Sequence, residues 1–254
     1  MNAIAIPATR APGRSRIPAV FKLHYANPTT VAWMPLWIYG TIFAMNWLIW
    51  LIIFNASSPE GRVGMSTGTA WSGASLFIFV WLLILAIQAM NRTFHLALGF
   101  GSTRRDYYLG TAAALVLACA GWAIVFGIMG ALEEATNGWG LGGHMFAPIY
   151  FGDDGPIART WYVFLVMLFL TSIGLVAGAA WVRWRTFGVI GFFTIVAFLL
   201  IGGLAWVALT DSWPELGAAM QTLGFSGVYA LLLVPTAIAG LIGYLALRRA
   251  TARS

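Results

Sequence analysis

Six long apolar segments, none with a charged residue in its interior, constrain the fold of this chain more than any other feature. A helix needs about 20 apolar residues to cross the hydrocarbon core of a membrane. Only 9% of the residues are charged, against about a quarter in an ordinary soluble domain, so most of the surface must face lipid. The segments are Trp33–Phe54, Trp71–Met90, Tyr107–Ala131, Trp161–Val182, Phe187–Leu209 and Val228–Leu247.

These segments predict an all-α, polytopic membrane protein with six transmembrane helices in a single domain, 1–254. Its parts are a tail (1–32), the membrane domain (33–247) and a second short tail (248–254). Apolar residues in the first tail recur near helical spacing beside a lysine, which leaves two interpretations open: a short interfacial helix or a disordered tail. The residues are Ile17, Val20, Phe21, Lys22 and Tyr25.

The distribution of lysine and arginine predicts the orientation, because cytoplasmic loops carry an excess of these residues. With the N-terminus inside, twelve of the 14 lysines and arginines lie on the inner side, and only Arg62 and Arg159 lie outside. Seven of the 8 acids lie outside, Asp106 being the exception. Both termini are therefore predicted to be cytoplasmic. The net charge of +6 then reflects topology, and it does not indicate a nucleic-acid partner.

The turn between the second and third segments, residues 91–106, contains the most informative local pattern. We expect a short helix over Arg92–Leu98, a tight break at Gly99 and Gly101, and a new helix from Arg104. Thr103 and Asp106 have the spacing of a capping box, which favours that start. From these residues alone, a basic hairpin that merely fixes topology is the better explanation, because every cytoplasmic turn carries arginines.

This turn resembles the cytoplasmic coupling segment of ABC-transporter permeases of the exporter class, in which a Leu-Gly-x-Ser/Thr-Arg-Arg run precedes a transmembrane helix. The N-terminal stretch Phe21–Pro28 is also similar to that group, and the topology matches over the whole chain. The resemblance implies contact with a separate ATP-binding cassette subunit, which would hold ATP and magnesium. The contact residues would be Phe94, Leu98, Gly99, Gly101, Ser102, Thr103, Arg104 and Arg105.

The same resemblance implies a homodimer, or a heterodimer with a related permease, in a bacterial inner membrane. The chain has no Gly-x-x-x-x-Gly-Lys-Ser/Thr motif and only one lysine, so we expect neither an ATPase site nor any other enzymatic activity of its own. The uncharged spans suit a hydrophobic or amphipathic substrate. Helices 2 and 5 would line its path, exposing Phe79, Leu83, Phe193 and Phe198.

Three other classes of function compete with the permease. A secondary transporter usually keeps ionisable groups or broken helices near the membrane midplane, and these spans contain no carboxylate. A membrane enzyme or redox subunit would need paired carboxylates, a buried histidine pair or a catalytic triad, none of which the sequence offers at a consistent depth. An accessory or structural subunit of a membrane complex stays open as the main alternative.

Two outer loops and one glycine pair lead to further expectations. Ser212 and Glu215 predict a capped short helix, Trp213–Leu223, that stops at Gly224. The Gly174-x-x-x-Gly178 pair predicts a close-packing helix face. The long loop Leu132–Thr160 is expected to be solvated. Its acids and histidine form only a weak candidate for a divalent-cation site; they are Glu133, Glu134, His144, Asp153 and Asp154.

Overall fold

The computed structural model describes residues 15–248, and helices account for 86% of them. That part of the chain contains no β-strand. Five of its continuous helical stretches are long and apolar enough to cross a membrane. The fold is therefore all-helical, and its apolar helices are those of a membrane protein. Positions 1–14 and 249–254 of the predicted tails lie outside the described residues.

Nine α-helices follow one another between residues 15 and 248. They are α1 (Ile17–Tyr25), α2 (Met34–Ala56), α3 (Pro59–Thr69), α4 (Leu76–Gln88), α5 (Phe94–Gly99), α6 (Arg104–Ala135), α7 (Pro156–Leu209), α8 (Trp213–Ala230) and α9 (Leu233–Arg248). Short π-helical turns at Thr29–Trp33, Ala89–Thr93 and Gly138–Gly142 and a 3₁₀ turn at Ile149–Phe151 lie between them. The second predicted segment begins late, since residues 71–75 are not helical.

Helix α7 reverses direction at Arg185. Its 54 residues would extend about 80 Å as one straight helix, far more than the roughly 30 Å of a hydrocarbon core. Arg185 has φ 56° and ψ −143°, and a Cβ placed on Gly188 would lie 2.7 Å from the carbonyl oxygen of Ala180. Residues eight apart on a continuous helix are separated by about 12 Å. The chain therefore folds back into a first arm (156–184) and a second arm (186–209).

The first arm of α7 packs tightly against α4 through two glycines. A Cβ on Gly174 would lie 2.5 Å from the carbonyl oxygen of Leu83, and one on Gly178 would lie 2.6 Å from the Cβ of Met90. No larger residue fits at this distance, so the backbones approach as they do at small-residue helix contacts. The predicted packing face is confirmed.

Helix α1 runs along the first half of α6. Val20 is buried against Gly110, His24 Nε2 lies 2.9 Å from Thr111 Oγ1, and the Tyr25 hydroxyl donates to the Ala114 carbonyl at 2.7 Å. Burial lowers the pKa of His24 to about 4, because an imidazolium loses its hydration there. The helical interpretation of residues 17–25 is confirmed, and this helix packs against a neighbouring helix along its length.

The short helix predicted after Ser212 forms, but without the predicted cap. Ser212 makes no capping hydrogen bond; its hydroxyl lies 2.8 Å from Thr210 Oγ1 instead. Gly224 interrupts α8 with φ 62° and ψ 178°, so the predicted stop is confirmed. Residues 225–248 then continue, through a turn at 231–232, into α9.

Candidate functional site

The elbow, which we define as residues 91–106, joins α4 to α6. The short helix predicted over Arg92–Leu98 is present as the end of the π-helical turn Ala89–Thr93 and α5, and it is continuous with α4. The start of α6 is as predicted: it begins at Arg104, and Thr103 Oγ1 accepts a hydrogen bond from Asp106 N at 3.0 Å. This cap satisfies a backbone donor that the first turn of a helix otherwise leaves open.

Only one of the two glycines in the elbow is required by its backbone. The N–H of Ser102 donates to the Ala97 carbonyl at 3.0 Å, and the N–H of Gly101 donates to the Leu98 carbonyl at 2.8 Å. With Gly101 at φ 79°, this is the Schellman motif that ends many helices. Gly99 is the last residue of α5. The predicted break at Gly99 and Gly101 is therefore present: α5 ends at Gly99, and the positive φ lies at Gly101.

Aromatic packing fixes α5 on α6. The rings of Phe94 and Tyr107 meet edge to face, 5.2 Å apart. The Tyr107 hydroxyl donates to the Ala89 carbonyl at 2.6 Å and lies 2.7 Å from Thr93 Oγ1. Phe94 is fully buried, so its predicted role as a contact residue for a partner is wrong. Its ring instead makes the elbow rigid.

The turn of the elbow is also tied to both ends of the described chain. The N–H of Arg16 donates to Asp106 Oδ2 at 3.2 Å, and its guanidinium donates to the Phe100 carbonyl. Arg104 Nη1 donates to the Arg248 carbonyl at 3.0 Å. A movement of the elbow would therefore displace the start of α1 and the end of α9, or break these hydrogen bonds.

The outward surface of the elbow combines apolar and basic side chains. Leu96 and Phe100, four residues apart, are 48% and 69% exposed, and Arg92 and Arg105 are exposed beside them in the sequence. Of the other predicted contact residues, Gly99, Gly101 and Thr103 are exposed, while Leu98, Ser102 and Arg104 are partly buried. Sequence reasoning missed Leu96 and Phe100, although their spacing of four was visible.

Comparison with known proteins adds no family to this geometry. No protein-family model, curated protein or solved structure matches the chain. The function must therefore be argued from the residues themselves.

The four residues predicted to line a translocation path do not share a surface. Phe79 is 2% exposed and packs against Phe126 and Phe151, with ring centroids 6.1 and 6.2 Å away. Leu83 is partly buried at the contact with α7. Phe193 and Phe198, on the second arm of α7, are exposed. Burial in the core removes Phe79 from any path along the surface, and this part of the prediction is wrong.

The loop between α6 and α7 is folded into the core, contrary to the expectation of a solvated loop. The carboxylate of Glu133 is fully buried. It accepts from the backbone N–H groups of Met145, Phe146 and Ala147 at 2.9–3.0 Å and from Trp139 Nε1 at 3.0 Å. Four donors on one carboxylate compensate for its removal from water. The loop is therefore a structural lid at this end of the bundle.

Three of the acids predicted in this loop, Glu133 and Glu134 at the end of α6 and Asp154 in the loop, are engaged with protein groups. Glu134 binds Arg159 at 2.5 Å, Asp154 accepts from the Tyr162 hydroxyl at 2.6 Å, and His144 Nδ1 lies 3.6 Å from Glu133 Oε1. Across residues 15–248, no three histidine, cysteine or acidic side chains are grouped to hold a metal ion.

Proposed function

We propose that this chain is the membrane-spanning permease subunit of an ABC transporter of the exporter class, powered by a separate ATP-binding subunit that docks on the elbow. The observation that carries the proposal is the exposed pair Leu96 and Phe100 on a turn fixed by a Schellman motif at one end and a Thr103 cap at the other. An exposed apolar pair on a rigid turn with basic side chains is suited to contact another protein.

The proposal includes six membrane spans with both termini in the cytoplasm of a bacterial cell. The reversal at Arg185 supports two spans in α7, and residues 225–248 supply the sixth. The elbow, the turn at Arg183 and Arg185, and Arg248 then lie on one basic side, as the positive-inside rule requires. A reporter active only outside the cell should be silent after Ser254 and active when inserted near Gly142. A signal at Ser254 would contradict this topology.

The transported molecule is proposed to be hydrophobic or amphipathic, and its path to lie between two copies of the chain or between it and a related permease. None of residues 186–230 is buried, and Phe193 and Phe198 are exposed on the second arm of α7. A helix that is apolar on every side needs lipid or a second protein around it. This arm supports a dimer contact better than α4, whose Phe79 is buried.

The docking surface is tested by replacing one exposed side chain of the elbow. We expect Phe100→Asp to insert normally but to lose at least tenfold in co-purification with, and stimulation of, an ATPase encoded beside this gene. A charge at the centre of an apolar contact is desolvated without a partner. Gly99→Ala is the matched control, because Gly99 is helical and a Cβ there meets nothing within 4 Å.

Membrane insertion must be checked by the yield and elution of the detergent-solubilised variants. If Phe100→Asp retains normal ATPase association and turnover, the docking proposal fails, and an accessory subunit becomes the better interpretation. If Gly99→Ala loses association to the same degree, the effect does not come from the apolar pair.

A further inference from the structure

A cavity lined by both polar and apolar side chains lies where α1, the π-helical turn before α2, the end of α4 and the middle of α6 meet. Its volume is about 170 Å³. Asn27 and Thr30 line it from one side, and Gln88 and Arg92 line it from the other. Arg92 lies seven residues before the end of α5, which is about 10 Å along the helix. In the proposed topology, this position is at the level of the lipid headgroups on the basic side.

A second cavity, of about 250 Å³, continues the first along the face of α4. It shares Thr30, Leu85, Gln88 and Arg92 with the first cavity and extends to Ile84 and Trp81. From Arg92 to Trp81 the helix rises about 16 Å. Ile84 is 40% exposed, so this groove between α2 and α4 opens on the outer surface of the bundle, where lipid would lie. Polar side chains therefore gather where the two cavities meet, and apolar side chains line the rest of the groove.

The end at Arg92 carries a positive charge that no group among residues 15–248 neutralises. Neither cavity has an aspartate or glutamate in its lining. Within residues 15–248, the Arg92 side chain makes no ion pair or hydrogen bond, and neither does the amide of Gln88. The acid on this side of the bundle, Asp106, accepts from Arg16 N at the start of α6. The local field therefore favours an anion at Arg92.

We propose that the two cavities form a binding site for an amphiphile with a phosphate-bearing, anionic headgroup and at least one hydrocarbon chain. The phosphate is held by the Arg92 guanidinium, which suits a phosphate oxygen pair, and by the Gln88 amide. The chain lies in the groove between α2 and α4. Basic pockets between membrane helices on the cytoplasmic side are a general form of lipid recognition. The site rests on the proposed topology for its depth in the membrane, but it requires no ATPase partner, so loss of ATPase docking would leave it unaffected.

The test uses the purified full chain in neutral detergent and native mass spectrometry. Phosphatidylglycerol should remain bound at one molecule per chain, at least tenfold more tightly than phosphatidylcholine with the same acyl chains. Inorganic phosphate at the same concentration should neither bind measurably nor displace the lipid, because it lacks the hydrocarbon chain. Displacement by phosphate alone, or equal binding of both lipids, would overturn the proposal.

Three variants locate the site. Arg92→Gln should lower the affinity for phosphatidylglycerol at least tenfold, and Arg92→Lys should retain much of that affinity. Arg105→Gln should bind phosphatidylglycerol as the unmodified protein does. Arg105 is exposed on the same elbow but lines neither cavity. Equal losses for Arg92→Gln and Arg105→Gln would show a diffuse surface charge and overturn the proposal. Unchanged binding by Arg92→Gln would overturn it as well.

Discussion

Two parts of this molecule have similar apolar composition but opposite packing. Residues 15–184 build most of two buried clusters, one around Phe126 and Phe146 and one around Phe94 and Tyr107, and Ala246 and Leu247 of α9 complete the second. Residues 186–230 contribute no buried side chain at all. The difference teaches that hydrophobicity alone does not decide where a membrane helix packs. Packing also requires small residues that let two helix backbones approach closely, or polar groups that hold a loop against the bundle by hydrogen bonds.

The glycines of the two parts show this most directly. In the packed part, Gly174 and Gly178 lie at backbone contacts where no Cβ fits. In the exposed part, a Cβ on Gly202, Gly203 or Gly217 would meet nothing within 4 Å. The first set permits close helix packing. The second set leaves a surface that only lipid or a second protein chain covers.

The largest effect is expected from Glu133→Ala. Removing this carboxylate leaves two buried backbone N–H groups, the partly buried N–H of Ala147 and the Trp139 indole without their acceptor, which should cost about 3 kcal/mol or more. The melting temperature in detergent should fall by roughly 10 °C. Glu215→Ala, on exposed α8, should change stability by no more than about 0.5 kcal/mol. Similar losses from both variants would erase the distinction between the two parts.

A pair of glycine substitutions should give opposite signs. Gly174→Ala brings a methyl group to 2.5 Å from the Leu83 carbonyl oxygen, and such overpacking should cost about 2 kcal/mol. Gly202→Ala adds a methyl group to open space on a helix and should stabilise by about 0.5 kcal/mol. Thermal unfolding of the two purified variants measures the contrast. A stable Gly174→Ala protein would show that α4 and α7 do not approach this closely.

A smaller effect is expected from pH. The pKa of His24 falls from 6.5 to about 4 on folding, so the unfolded chain binds a proton first as the pH drops. Stability is complete above pH 6.5 and declines as the pH falls toward 4. The loss should be on the order of 1–2 kcal/mol, because the ring remains partly exposed.

The variant His24→Asn separates this effect from general acid sensitivity. It removes the titrating ring and should flatten that portion of the melting-temperature profile. His95→Asn, on the exposed face of α5, is the control and should leave the profile unchanged. A profile that is the same with and without His24 would show that the helix α1 does not bury it.

The helical segments and the cap at Thr103 were readable from the sequence because each depends on residues close together in the chain. Helix α3 was missed, although Ser58, Pro59 and Glu60 gave its start, and Ser58 accepts from Gly61 N there. Nearly the same residue types at Ser212 predicted a cap that does not form. A local pattern predicts which capping hydrogen bond can form, and the backbone conformation of the surrounding turn determines whether it does form.

The buried carboxylate of Glu133 was not predictable by the same reasoning. An acid in a glycine-rich loop usually faces water, and its three backbone partners lie 12 to 14 residues later in the chain. The cavities beside Arg92 also depend on four separate elements. The exposed pair Leu96 and Phe100 could have been predicted, since their spacing of four on a short helix is visible in the sequence.

The reversal at Arg185 has a consequence for biosynthesis. A single residue joins the two arms of α7, and its positive φ without a glycine carries strain of order 1–3 kcal/mol. Because the turn is so short, no loop separates the first arm from the second while the second is being translated. We therefore expect both arms to enter the membrane together as one helical hairpin, and in the proposed topology Arg183 and Arg185 would keep its tip on the cytoplasmic side.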